Sequence, residues 1–255
     1  MHPDTLPPQP ALRLHALRFA YPTGGEAVRG VSLDIAPGSV HCLVGRSGCG
    51  KTSVLKLAAG LLLPQHGQVL CHGEPVIGPR ADMGFVFQRP TLLQWLSVLD
   101  NVLLPISLQR PVRSSDRDMA AQLLKRMGLG DHTQNNPQAL SGGQQSRVAL
   151  ARALMGEPKI LCMDEPFAAL DAITREELQH DLLALCAQQG TSVLFVTHDM
   201  AEAVYLGDQV TVMHQGQMGH TLRIDLPRPR AHGVRHSAEF NAVCAQLRQC
   251  MDEGL

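Results

Sequence analysis

The chain begins with alternating apolar and polar positions. Leu12, Leu14 and Leu17, then Val31, Leu33 and Ile35, form short runs separated by the turn signals Pro22, Gly24-Gly25 and Pro37-Gly38. A period of two broken by turn residues predicts an antiparallel sheet over residues 11–40. From Val40 the pattern changes to short continuous apolar runs, Val40–Val44, Met83–Phe87, Ile160–Met163 and Ser192–Val196, each followed by a helical stretch. Such runs predict parallel strands buried on both faces. Between Phe87 and Ile160 there is no strand run of that quality. Asp116–Met127 is amphipathic at helical spacing and Gln144–Leu154 is also helical. Residues 89–155 therefore read as a helical insert in an α/β core. Residues 1–10, with four prolines, read as a flexible tail, residues 11–230 as the main domain, and residues 231–255 as a short C-terminal helix and tail with a weak helix near Ala238–Met251.

One stretch gives this core a chemistry. Gly45-Arg46-Ser47-Gly48-Cys49-Gly50-Lys51-Thr52 follows the run Val40–Val44 and precedes a helical segment beginning at Thr52. It matches the phosphate-binding loop of nucleoside triphosphatases. Glycines let several backbone N–H groups turn into one concavity, and the helix that follows aims its positive end there. Lys51 can reach the β- and γ-phosphates, and the Thr52 hydroxyl can ligate Mg²⁺.

Ile160–Met163 runs into the carboxylates Asp164 and Glu165. A strand tip beside the phosphate loop is where Mg²⁺ is held, which assigns Asp164 to the metal side. Glu165 points elsewhere, because strand side chains alternate, and can act as general base toward an attacking water. Ser141-Gly142-Gly143-Gln144 opens a helix. Its Ser-x-x-Gln spacing is a capping box, and its glycines also leave N–H groups open to an anion, a second phosphate-binding element. One triphosphate cannot easily use both elements of one chain if they sit on different subdomains; a second copy can supply the other.

Composition narrows the partners. A formal net charge of −1 argues against a nucleic-acid binder working through a basic field. The seven cysteines contain no C-x-x-C pair and read as free thiols in a reducing compartment. The N-terminus has no apolar core of a signal peptide, and apolar runs such as Leu57–Leu63 are far shorter than the roughly 20 residues that span a bilayer. A role at a membrane therefore requires a spanning partner.

Taken in order, these motifs resemble those of ATP-binding cassette (ABC) ATPases. Leu140–Arg147 (LSGGQQSR) resembles the family signature, Gln88 the Q-loop, Ile160–Glu165 Walker B with its catalytic glutamate, and Ala169-Leu170-Asp171 the D-loop. His198 resembles the switch histidine, and Tyr21 falls at the aromatic position that stacks on adenine. The resemblance covers roughly residues 12–230 and implies a P-loop NTPase with a RecA-like core, an N-terminal antiparallel β-subdomain and an inserted helical subdomain. It implies ATP and Mg²⁺ as ligands and a head-to-tail dimer with each ATP between Gly45–Thr52 of one chain and Ser141–Gly143 of the other. His198 would contact the γ-phosphate, Asp171 would communicate across the dimer, and Gln88 would sense Mg²⁺ or water. Asp199 caps the next helix and is structural. Ser146 departs from the usual Gln or Arg of the signature.

Residues 88–106, with Trp95, Val98 and Asn101-Val102, together with Pro166–His198 and the tail Pro227-Arg228-Pro229-Arg230, resemble nitrate, sulfonate and taurine importer ATPases. That branch implies integral membrane permease subunits, an indirect solute-binding protein and a peripheral place on the cytoplasmic face of the inner membrane. The apolar stretch Leu92–Leu104 suits a groove for a short permease helix. An exporter subunit, and a non-transport cassette acting on DNA or the ribosome, are the alternative readings.

Overall fold

In the computed structural model, which describes residues 9–253, the chain opens with strands β1 (Leu12–Ala20), β2 (Glu26–Ile35) and β3 (Val40–Val44), then helix α1 (Lys51–Ala58). Three further strands follow, β4 (His66–Cys71), β5 (Glu74–Pro75) and β6 (Met83–Val86). Next come helices α2 (Val98–Ser107), α3 (Ser114–Arg126) and α4 (Gly142–Leu154). The chain returns through β7 (Ile160–Asp164), α5 (Ala172–Gln189), β8 (Ser192–Thr197), α6 (Met200–Leu206), β9 (Gln209–His214), β10 (Gln217–Arg223) and α7 (Ala238–Glu253).

The alternating N-terminal segment forms an antiparallel sheet in the order β2-β1-β4-β5. Its apolar positions face one another as the pattern requires: Leu12 opposite Ile35, Leu14 opposite Leu33, Leu17 opposite Val31. The continuous apolar runs form a second sheet in the order β10-β9-β3-β8-β7-β6, parallel except for β10. Both faces of this sheet are covered. Leu161 and Met163 of β7 and Phe195 of β8 pack into the core beneath α2 to α6. Their neighbours Ile160, Cys162, Leu194 and Val196 face α1 and the N-terminal sheet. Each such buried leucine contributes about 2–5 kcal/mol by the cost of its truncation to alanine.

Strand register positions the site. Val44 pairs with Thr197, and Asp164 with Val196, so the C-terminal tips of β3, β8 and β7 lie side by side. Those tips carry the phosphate loop, His198 and the Asp164-Glu165 pair. The expected helix Gln144–Leu154 begins two residues earlier, at Gly142, because Ser141 supplies the cap. The expected tail, residues 1–10, lies outside the described residues except for Gln9 and Pro10. Among the described residues no helix is long and apolar enough to cross a membrane.

Candidate active site

The phosphate loop curls because two of its residues adopt backbone conformations that favour glycine: φ is +78° at Gly48 and +105° at Gly50. At Gly50 a Cβ would lie 2.3 Å from the carbonyl oxygen of Ala27 in β2, so the loop is seated against the N-terminal sheet. Gly45 is equally confined, with the Met213 carbonyl oxygen 2.3 Å from where its Cβ would be. Gly45 and the buried Cys49 are therefore underpinnings of the loop; neither lines the cavity above it.

Lys51 is buried, and its ammonium donates to the carbonyls of Gly45 (2.8 Å) and Arg46 (3.0 Å). The Thr52 hydroxyl donates to Asp164 Oδ1 at 3.0 Å, joining the start of α1 to the tip of β7. Burial raises the Asp164 pKa; the Thr52 bond opposes the shift and the neighbouring Glu165 adds to it. A buried carboxylate and a hydroxyl, both hard oxygen donors, fit a divalent cation, whose charge would relieve that penalty.

Glu165 follows the strand with φ +44°, a conformation that non-glycine residues rarely adopt and that concentrates at functional sites. Its N–H donates to the Val196 carbonyl (3.0 Å). His198 Nδ1 stands 2.9 Å from Glu165 Oε2, so the Nδ1–H tautomer donates to the carboxylate. Asp199, the next residue, accepts from the N–H groups of Ala201 and Glu202 and caps α6. Tyr21 closes the far side. Its hydroxyl is 3.2 Å from Ser53 Oγ and its ring packs edge-on to Phe19 with centroids 4.9 Å apart, leaving the ring part-exposed.

These groups surround one cavity of about 680 Å³ lined by Tyr21, Ser47, Gly48, Gly50, Lys51, Thr52, Gln88, Glu165 and His198, with Ala27 and Ser53. Ala27 and Ser53 escaped the sequence reading. Ser53 stands beside the motif, but Ala27 has no sequence signal and enters only through the register of β2. Ser141, Gly142 and Gly143, expected to serve the ATP held by a second copy, do not line this cavity, and neither do Gln144 and Asp171. Gln144 Oε1 accepts from the Ser141 N–H (2.9 Å), and the Ser141 hydroxyl accepts from the Gln144 N–H (3.3 Å), so both side chains are engaged in the cap of α4. Asp171 caps α5 through the Thr174 N–H (3.0 Å). A Cβ on Gly143 would lie 3.2 Å from Leu170, so the signature turn and the Leu170-Asp171 segment form a second locus outside the cavity.

The sequence profile of the ABC transporter family matches residues 28–168. The chain belongs to that family. It is 43% identical over 230 residues to the aliphatic sulfonates import ATP-binding protein SsuB 1 of Xanthomonas axonopodis pv. citri, spanning 89% of this chain and 91% of that protein. It is likewise 43% identical over 231 residues to SsuB 3 of Pseudomonas syringae pv. tomato, spanning 91% and 83%. Among solved structures it resembles the dimeric ATP-binding cassette MJ0796 in a post-hydrolysis state bound to ADP and phosphate. The TM-score is 0.77 at 30% identity, over 85% of this chain and all of that one. The ABC cassette is thus the frame in which the cavity and the second locus are to be understood.

Proposed function

We propose that this ABC chain is the ATP-binding and ATP-hydrolysing subunit of an importer that drives a small anion of the sulfonate type through a membrane permease. The observation that carries the reading is the separation of the two anion-binding elements. The cavity gathers the phosphate loop, an aromatic ring, Gln88, Glu165 and His198, while Ser141–Gly143 stands at a second locus. A second copy packed head to tail supplies Ser141–Gly143 to each cavity, giving two shared ATP sites. The dimeric state of MJ0796 supports this arrangement.

Within a cavity the backbone N–H groups of Ser47, Gly48 and Gly50 and the N-terminus of α1 hold the phosphates, and Tyr21 stacks on the base. Lys51 exchanges its carbonyl partners for phosphate oxygens. Thr52, Asp164 and Gln88 would hold Mg²⁺, whose chemistry there is neutralisation of phosphate charge. Glu165 takes a proton from the attacking water. His198, oriented by its contact with Glu165, holds the γ-phosphate and keeps the carboxylate aimed.

A shallow apolar cavity of about 370 Å³, lined in part by Phe85, Phe87, Leu93, Leu104, Pro105 and Leu108, adjoins Gln88 and suits a short permease helix. Trp95, two residues beyond Leu93 in the chain, is 78% exposed. Docking there would place the cassette on the cytoplasmic face of the membrane, with a solute-binding protein on the other side.

The test is capture of tagged Glu165→Gln with Mg²⁺ and ATP from detergent-solubilised native membranes. Recovery of an integral membrane permease together with a dimeric cassette supports the reading. Recovery of only nucleic-acid or ribosomal partners rejects it.

A further inference from the structure

Helix α6 is only seven residues long, and its N-cap, Asp199, directly follows His198. A helix that short does not hold itself in water, so its ends must be held by other groups. At the N-terminus Asp199 does this. At the C-terminus two arginines from the chain beyond β10 take the carbonyls of Val204, Tyr205, Leu206 and Gly207. Arg230 Nη1 donates to Val204 O (2.7 Å) and to Tyr205 O, and its Nη2 to Gly207 O (2.7 Å). Arg228 Nη2 donates to Leu206 O (2.9 Å) while its Nε binds Asp208 Oδ1 (2.7 Å). Two guanidinium forks thus meet the negative end of the helix dipole.

The clamp extends further. The other Asp208 oxygen accepts from the Val40 N–H (2.8 Å), and the Asp208 N–H donates to Val40 O (2.7 Å), at the first residue of the strand that delivers the phosphate loop. Arg235 lies over the Tyr205 ring at 3.8 Å and also reaches Gln179, whose amide donates to the buried Glu202 of α6 (2.7 Å). Arg230 is 2% exposed, and burial lowers its pKa to about 10, which leaves it charged at neutral pH.

We infer that Arg230, assisted by Arg228, is a positioning residue for hydrolysis. By clamping the C-terminal end of α6 it fixes the rod whose other end aims His198 at Glu165. This rests on the assignment of His198 and Glu165 as the hydrolytic pair. The Arg230 guanidinium bonds only carbonyls at the end of α6, and the tie to Val40 runs through Asp208 and Arg228, so loss of Arg230 spares nucleotide binding while turnover falls. Arg230→Lys keeps the charge but loses the fork and satisfies fewer carbonyls.

The test uses the full chain with Mg²⁺ and ATP. Hydrolysis by the wild type and its loss in His198→Ala and Glu165→Gln examine the underlying assignment by themselves. An inactive wild type or an active His198→Ala sinks that assignment whatever Arg230 does. Given that assignment, Arg230→Ala lowers kcat per nucleotide-binding site about tenfold. Its KM for ATP stays within about twofold. The histidine-selective NMR signal of His198, assigned by its absence in His198→Ala, moves toward that of an unrestrained histidine. Arg230→Lys recovers part of both losses. Should Arg230→Ala fail to fold, Arg230→Lys and Arg228→Ala carry the same comparison against wild type. Wild-type kcat per binding site, or a kcat loss with the His198 signal unmoved, would overturn the inference.

Discussion

Two neighbouring glycines of the phosphate loop offer an internal control on how the loop is built. Both have positive φ, +78° at Gly48 and +105° at Gly50, but only Gly50 is blocked. No atom lies within 4 Å of a Cβ on Gly48, whereas a Cβ on Gly50 meets the Ala27 carbonyl oxygen at 2.3 Å and the Met213 methyl at 2.9 Å. Gly48→Ala therefore costs only the backbone conformation, about 1 kcal/mol. Gly50→Ala adds a clash with main chain of β2, which cannot yield like a side chain, and costs about 3 kcal/mol or more. Relief of that clash requires a loop shift on the order of 1 Å. That shift breaks at least one charge-assisted backbone bond to phosphate, about 1.5–3 kcal/mol, or roughly tenfold to hundredfold in ATP affinity. Urea unfolding gives the stability difference and titration with a fluorescent ATP analogue gives affinity. Equal destabilisation by the two substitutions would refute the contact argument, because conformational preference alone would then account for both.

Other substitutions separate binding, metal and chemistry. Glu165→Gln lowers turnover by about 10²–10⁴ while a Mg-ATP-bound dimer still forms in size-exclusion chromatography; near-normal hydrolysis would remove Glu165 as base. Asp164 has a raised pKa in the folded chain, so its contribution is fully present below the ordinary carboxylate value and is lost as pH rises through the raised one. Asp164→Asn accordingly raises the neutral-pH melting temperature of the metal-free chain and abolishes further stabilisation by Mg-ATP; a lower melting temperature without metal would contradict this. Asp116 is the opposite case. Its bonds to Arg110 and to the Arg113 N–H hold the carboxyl well below the ordinary 3.8. The stability it contributes is present above that value and lost as pH falls toward the folded one, so Asp116→Asn flattens the acid limb of an unfolding-versus-pH curve. Ser141→Arg abolishes turnover yet leaves ATP affinity of the monomer intact, because Ser141 stands outside the monomer's cavity; unchanged turnover would argue against a shared site.

The elements the sequence revealed are those in which local pattern and burial agree. Val40–Val44 and Ile160–Asp164 are buried at every position, so continuous apolar runs mark them without ambiguity. Strands β4, β9 and β10 were not legible. In β4 only Val69 and Cys71 are buried, too few to show alternation. The β9–β10 hairpin turns through Gln215 and Gly216, both with positive φ, and Gln-Gly carries a weaker turn signal than Asn-Gly. Of the site, residue types at fixed spacing identified the phosphate loop, Asp164, Glu165 and, with the family pattern, His198. What spacing could not supply was mutual position: the 2.9 Å contact of His198 with Glu165 depends on β8 lying between β3 and β7.

The Arg228–Arg230 pair shows the same limit from the other side. In the sequence, Pro-Arg-Pro-Arg reads as a tail of a family branch, with no carboxylate at a telling distance. Its role becomes visible only because the pairing of β9 with β3 brings Asp208 to Val40, and because α6 ends where those guanidiniums arrive. Donors that seek backbone carbonyls leave no complementary residue type for a sequence pattern to find, since every residue has a carbonyl. Contacts of this kind are therefore concealed in any chain until the fold is known, and short helices that end at catalytic residues are where they matter most.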